Sequence, residues 1–165
     1  MIELDHIKLP ILAELERYVA LFDEVLTHDE DFMNQVLSYV RSRKGKMMRP
    51  ILVLLLAKEL GTIEEPTLRS AVTLELLHTS SLIHDDVVDE SELRRGRKTA
   101  NNLFGNAAAV LVGDFLYTRA FQLMVGSGSM KILEVMADAT NIIAEGEVMQ
   151  LMNIGNIDIT EAQYL

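Results

Sequence analysis

The stretch Leu82-Ile83-His84-Asp85-Asp86-Val87-Val88-Asp89-Glu90-Ser91 carries an apolar helical pattern straight into a cluster of carboxylates. On a helix rising about 1.5 Å per residue, Asp85 and Asp89 stand about 6 Å apart along the axis and share one face, with Asp86 beside them. Three such carboxylates repel one another unless a cation neutralises them. A helix C-terminus, where this cluster falls, also favours positive charge. Hard oxygen donors with no cysteine nearby suit Mg²⁺ or Mn²⁺, and Mg²⁺ held by one or two carboxylates commonly completes its shell with phosphate oxygens. Taken alone, the same acids also read as a solvated helix end.

Working outward, the helix that delivers these acids is predicted to open at Pro66 and to carry Leu68, Ala71, Val72, Leu74, Leu76, Leu77, Leu82 and Ile83, making it the central element. Before it, apolar spacing predicts helices over Pro10 to Leu26 (Ile11, Leu12, Leu15, Val19, Phe22 and Leu26 inward) and Asp31 to Ser42 (Phe32, Val36, Leu37 and Val40 inward). A third, from Pro50 to Leu60, is apolar on nearly every side and therefore reads as buried, with Gly61 to end it. Beyond the acids, Glu90 to Asn102 reads as a polar loop. Helices are predicted over Asn106 to Val125, with Ala107 to Ala109 for close packing, and Lys131 to Met152. Asp158 with Glu161 resembles a capping box at a last helix start. That pattern stops within a turn or two, as in a chain cut before its apolar face is complete.

Length and composition agree with a helical reading. The 165 residues suffice for one domain with a core, and with aromatics at 5% and only 3 prolines the composition favours packed helices. A net charge of −10 argues against broad nucleic-acid affinity, which needs a positive surface. The absence of cysteine excludes disulfides, zinc-thiolate sites and thiol nucleophiles. Met1 to Pro10 lacks the basic and long apolar regions of a signal peptide, and the longest clean apolar run, Ile51 to Ala57, is too short to span a bilayer, a pattern compatible with the cytoplasm.

Two basic blocks flank the acids in sequence. Gly45-Lys46-Met47-Met48-Arg49-Pro50 sets two fixed charges three residues apart at a helix entrance whose backbone N–H groups lack intrahelical partners, an arrangement suited to an anion. Arg94-Arg95-Gly96-Arg97-Lys98 follows Asp89 closely. Each block by itself also fits a solvated surface. His78 and His84 fall on different faces of the central helix, where a lone histidine is ordinarily a core residue. Ser80 and Ser81, about one turn before Asp85, are small enough to leave room for an apolar tail running back along the helix.

Two cationic blocks, a carboxylate cluster and an apolar helical interior together describe a site for apolar diphosphates. The ordered blocks GKMMRP, ELLHTSSLIHDDVVDES, RRGRKTANNLFGN, GDFLYTRAF and GEVMQL, from Gly45 to Leu151, resemble the trans-prenyltransferases, or polyprenyl diphosphate synthases. The resemblance implies an all-α isoprenoid-synthase-type bundle around a central cavity, of which residues 1–165 form the N-terminal half of a single domain. It implies head-to-tail condensation of isopentenyl diphosphate with an allylic diphosphate. Asp85, Asp86 and Asp89 match the motif that holds Mg²⁺ against the allylic diphosphate. Lys46, Arg49, His78 and Arg95 match the isopentenyl diphosphate ligands, and Arg94 an allylic diphosphate ligand. Ser80 and Ser81 match positions where bulky aromatics shorten the product, so small residues imply a long chain of the kind used in quinone side chains, such as octaprenyl. A homodimer through helices within Asn106 to Met152 is also implied.

In such a site no side chain acts as nucleophile or base. Metal and Arg94 stabilise the departing diphosphate while the apolar cavity keeps water from the allylic cation. The family's later KT-motif lysine and second aspartate-rich motif have no counterpart here: Lys98-Thr99 belongs to the basic block, and Asp138 and Asp158 are isolated acids. Little or no turnover is therefore expected from these residues alone. Two other readings stand at this point, a helical phosphohydrolase with His78, His84 and Asp85 in a metal site, and a noncatalytic or dimerisation subunit.

Overall fold

The computed structural model describes residues 4–42 and 45–164, and their regular structure is helical apart from one short hairpin. Residues 43 and 44, just before the first basic block, the first three residues of the Met1 to Pro10 segment, and residue 165 lie outside the described residues. Two units are distinguished, Met1–Ser129 and Met130–Leu165.

In the first unit, α1 (Leu4–Lys8) leads through a 3₁₀ turn, Leu9–Ile11, into α2 (Leu12–Val25). The apolar stripe of α2 buries Leu15, Tyr18 and Phe22, so Tyr18 takes an inward place while Leu12 is exposed. The next helix, α3 (Asp31–Arg41), starts where the Glu30 carboxylate accepts hydrogen bonds from the N–H groups of Phe32 and Met33, a cap for donors that would otherwise lack partners. Val36, Leu37 and Val40 are buried as expected, whereas Phe32 is exposed and meets Phe104 edge-on.

The fourth helix, α4 (Met48–Leu60), departs from the expectation of burial all round. It buries Pro50, Ile51 and Leu54, and leaves Leu52, Leu56 and Leu60 exposed. Its packing on α2 and on α5 (Glu65–Val88) uses one side of the helix, so uniform apolarity in sequence does not translate into uniform burial. Helix α5 is central, with Leu68, Ala71, Val72, Leu76, Leu77 and Ile83 all buried.

Beyond α5 the expected loop is structured. Strands β1 (Leu93–Arg94) and β2 (Arg97–Lys98) pair antiparallel, followed by α6 (Ala100–Phe104) and α7 (Asn106–Gly126). Polar hairpins this short carry no apolar alternation from which they could be read.

Helices α5 and α7 make the principal packing interface of this unit. Ala109, Val112, Gly113, Leu116 and Ala120 of α7 are buried, the small ones allowing close approach. A Cβ on Gly113 would lie 2.2 Å from His84 Nε2, so glycine there makes room for the imidazole. By length and composition α7 could cross a bilayer, but its buried stripe packs as a core helix does.

In the second unit, α8 (Met130–Met152) buries no residue and exposes Ile142, Ile143, Val148 and Met149. The last element, α9 (Glu161–Tyr164), begins with a box two residues later than expected: Gln163 Oε1 accepts from the Thr160 N–H at 2.9 Å and the Thr160 hydroxyl at 2.8 Å. Asp158 instead donates its N–H to Asn156 Oδ1.

Candidate functional site

The N-terminus of α4 has no side-chain cap, and its N-cap, Met47, sits at φ 52° in left-handed backbone. That conformation costs a non-glycine residue about 1 kcal/mol or more. It occurs at two other non-glycine residues among those described, Glu90 at the end of the acidic cluster and Arg95 at the hairpin tip. All three border residues that the sequence marks for chemistry, the setting in which backbone strain most often persists. The tip Arg95-Gly96, with φ of 53° and 74°, has the two positive values a type I′ turn requires.

The hairpin base is tied to the end of α5. Thr99 Oγ1 donates to Ser91 O at 2.7 Å, and Asn101 Nδ2 donates to both Asp86 O and Ser91 O at 3.1 Å. Tyr39 of α3 donates its hydroxyl proton to Lys98 O. These bonds turn the hairpin toward the start of α4, where the Arg95 guanidinium lies so close to Gly45 that a Cβ there would be 3.0 Å from Nη1.

The result is a cavity of about 690 Å³ lined by Lys46, Arg49, Arg94, Arg95, Arg97 and Lys98, with Glu75, His78 and Asp86 on the α5 side and Tyr18 and Phe22 from α2. The sequence-expected isopentenyl diphosphate ligands Lys46, Arg49, His78 and Arg95 thus share one cavity with Arg94. In a chain of net charge −10, six cations around one cavity make a local anion-receptive field. Burial first, then Arg49, Arg95 and Arg94, lower the pKa of His78 to about 4, so at neutral pH the ring is uncharged with one N–H to donate.

The acids divide. Asp86 is buried on the cavity side, where Arg94 Nε donates to its Oδ1 at 2.7 Å. Asp85 is half-buried, and Asp89, the C-cap of α5, is exposed. The three therefore do not present one common metal face, and no group of three His, Asp or Glu side chains disposed to hold a metal occurs among the described residues. Asp85 and Asp89, hard donors one turn apart at the negative end of α5, fit Mg²⁺ whose shell phosphate oxygens complete. Asp86 serves Arg94.

Ser80 is buried and donates to Gly113 O at 2.8 Å, which turns it toward α7, while half-buried Ser81 donates to Leu77 O. His84 also faces α7, with Nε2 3.2 Å from Val110 O and 3.4 Å from Asp114 Oδ1. Since His78 lines the cavity, the set His78, His84 and Asp85 is not assembled as a metal site.

Glu75, Tyr18 and Asn101 are the site residues that sequence reasoning passed over. Glu75 is one turn before His78, which places it on the same side of α5 and was the available signal. Its Oε2 is buried without a hydrogen-bond partner; burial raises its pKa while Arg49 and Arg95 act to lower it. Tyr18 stays a protonated phenol, its pKa raised by burial, then by Glu75 and Asp23.

Fold and cavity define an all-α protein with an anion-receptive pocket. Residues 30–165 match the sequence profile of the polyprenyl synthetase family, and the chain belongs to that family. It is 53% identical over 142 residues to the octaprenyl diphosphate synthase of Escherichia coli (strain K12), a match covering 86% of this chain and 44% of that protein. The crystal structure of a decaprenyl diphosphate synthase from Rhodobacter capsulatus superposes with a TM-score of 0.91 at 39% identity, covering 98% of this chain and 50% of the other. A polyprenyl synthase from Caulobacter crescentus CB15, solved with calcium and isoprenyl diphosphate, gives 0.90 at 37% identity and covers 98% and 49%. The chain thus spans about half the length of the relatives it matches.

Proposed function

We propose that these residues form the N-terminal part of a single prenyltransferase domain that condenses isopentenyl diphosphate with an allylic diphosphate into a long-chain polyprenyl diphosphate. The observation that carries the reading is the meeting of Lys46, Arg49, His78, Arg94 and Arg95, from three separated stretches, around one cavity. Similarity to octaprenyl and decaprenyl diphosphate synthases supports the long product.

Lys46, Arg49 and Arg95 bind the isopentenyl diphosphate, and the neutral His78 donates a hydrogen bond to it. Arg94, oriented by Asp86, stabilises charge on the diphosphate that leaves the allylic substrate. Asp85 and Asp89 would hold Mg²⁺, which would supply Lewis-acid stabilisation to that leaving group. Half-buried Ser81 leaves space for the growing chain, and Tyr18, Phe22, Leu82 and Ile83 give the cavity an apolar wall that excludes water. Exposed apolar residues on α7, including Leu111 and Val125, and those on α8 support a homodimer through these helices. The setting is the cytoplasm.

The test supplies labelled isopentenyl diphosphate, an allylic primer and Mg²⁺ to the chain alone and to the chain mixed with a segment equivalent to the unmatched half of the octaprenyl relatives. The expected result is no elongation alone and long polyprenyl products in the mixture. No product from a mixture that associates stably would favour a noncatalytic subunit.

A further inference from the structure

One carboxylate in the cavity works against the function just described. Glu75 projects among cations positioned to receive a diphosphate, and a fixed negative charge there repels that ligand. Its Oε2 is out of contact with water and has no hydrogen-bond partner, so the half-buried carboxylate is held ionised by less solvation than an exposed one. The titratable and charged groups around it come from every element packed there: the cations Arg49 from α4 and Arg95 from the hairpin, the neutral His78 from α5 itself, and the neutral phenol of Tyr18 from α2, which Asp23 also influences. Only the two arginines favour its charged form, and both belong to the anion-binding set.

We propose that Glu75 is the resident counter-ion of Arg49 and Arg95 in the empty cavity, a positioning residue that an incoming diphosphate displaces and that takes up a proton from solvent as it is displaced. Without ligand, the carboxylate offsets repulsion between the two guanidinium groups that share the cavity with it. When phosphate oxygens engage the arginines, the carboxylate loses what kept it ionised and gains a multiply charged neighbour. Both changes favour its neutral form. Protonation removes the repulsion, and the neutral carboxyl can donate a hydrogen bond to a phosphate oxygen. The device organises the arginines beforehand without leaving a net repulsive charge in the complex. Conversely, a diphosphate binds less tightly as pH rises, because the proton that must accompany it becomes scarcer.

This inference rests on the diphosphate reading above, and titration calorimetry separates the two. Inorganic pyrophosphate is titrated at neutral pH in two buffers of unlike ionisation enthalpy, and the protons exchanged are obtained from the difference in apparent enthalpy. Pyrophosphate's own protonation is common to all variants and cancels between them. Wild type is expected to take up about one proton more per bound pyrophosphate than Glu75→Gln, whereas Glu75→Asp, which keeps a carboxyl, retains the uptake. Equal proton numbers in wild type and Glu75→Gln would overturn the proposal, the proton then belonging to His78 or to no side chain. Absence of any pyrophosphate binding by wild type would sink the diphosphate reading itself, and this inference with it. Should Glu75→Gln fail to fold, carbon-13 labelling of the glutamate carboxyls in wild type decides. One carboxyl resonance moving to the protonated position on saturation supports the proposal, and none moving overturns it.

Discussion

Arg94 Nε donates to Asp86 Oδ1 at 2.7 Å, joining the hairpin to the last turn of α5 across the cavity wall. Asp86 is buried whereas the Arg94 side chain is 38% exposed, so the two ends of the pair are not equivalent. Arg94→Ala leaves a buried carboxylate without its partner and is expected to cost about 2–4 kcal/mol. Asp86→Ala lets the arginine turn to water and should cost less, about 1–2 kcal/mol. Urea denaturation of the two variants checks the order: the midpoint should fall further for Arg94→Ala, with the slope unchanged.

Close approach of α5 and α7 depends on Gly113. Gly113→Ala drives a methyl group into the His84 ring and is expected to destabilise by about 1–3 kcal/mol. Adding His84→Ala should recover part of the loss, a coupling that a double-mutant cycle on thermal stability would reveal.

The contact between Gly113 and His84 shows what a sequence can and cannot disclose. Helix α5, its C-terminal acids and the two basic blocks were legible because apolar spacing and charge are written residue by residue. That His84 faces α7 was not, because which face of a helix meets which neighbour is decided only by packing. Similarly, Asp85, Asp86 and Asp89 read as one cluster from spacing, yet the hairpin's return brings Arg94 to Asp86 and withdraws it from the other two. Glu75 escaped notice because a lone glutamate on a helix is ordinarily solvated. Its importance comes from Arg49 and Arg95, which lie 26 and 20 positions away in the chain.

Acid should destabilise the protein through His78. Its folded pKa of about 4 lies below its ordinary 6.5, so between these values the unfolded chain binds a proton that the folded chain refuses. The stability contribution is present in full above pH 6.5 and declines as pH falls toward 4. With allowance for water reaching a half-buried ring, the loss is about 1–2 kcal/mol. Denaturation midpoints across that window should slope upward with pH in wild type and less steeply in His78→Gln.

Glu75 titrates with the opposite sign. Its raised pKa means the folded chain holds a proton that the unfolded chain has lost, so this group costs stability as pH rises above 4.5. Glu75→Gln should therefore raise the melting temperature at neutral pH. An unchanged or lower value would count against burial as the dominant influence on this carboxyl.

Arg95 holds left-handed backbone at the tip of a turn that glycine would satisfy without strain. Arg95→Gly is expected to gain up to about 1 kcal/mol in stability while losing a cation from the cavity. Thermal melts and pyrophosphate titration should move in opposite directions.

The central claim is that cations from the start of α4 and from the hairpin together bind a diphosphate. Titration of isopentenyl diphosphate into wild type, Lys46→Ala, Arg49→Ala and Arg95→Ala tests it most directly, with Arg17→Ala as control because Arg17 is an exposed cation of α2 paired with Glu65. The account predicts binding to wild type, a loss of about tenfold or more for each cavity variant, and no change for Arg17→Ala. Equal affinity across all five proteins, or no binding to wild type, would contradict it.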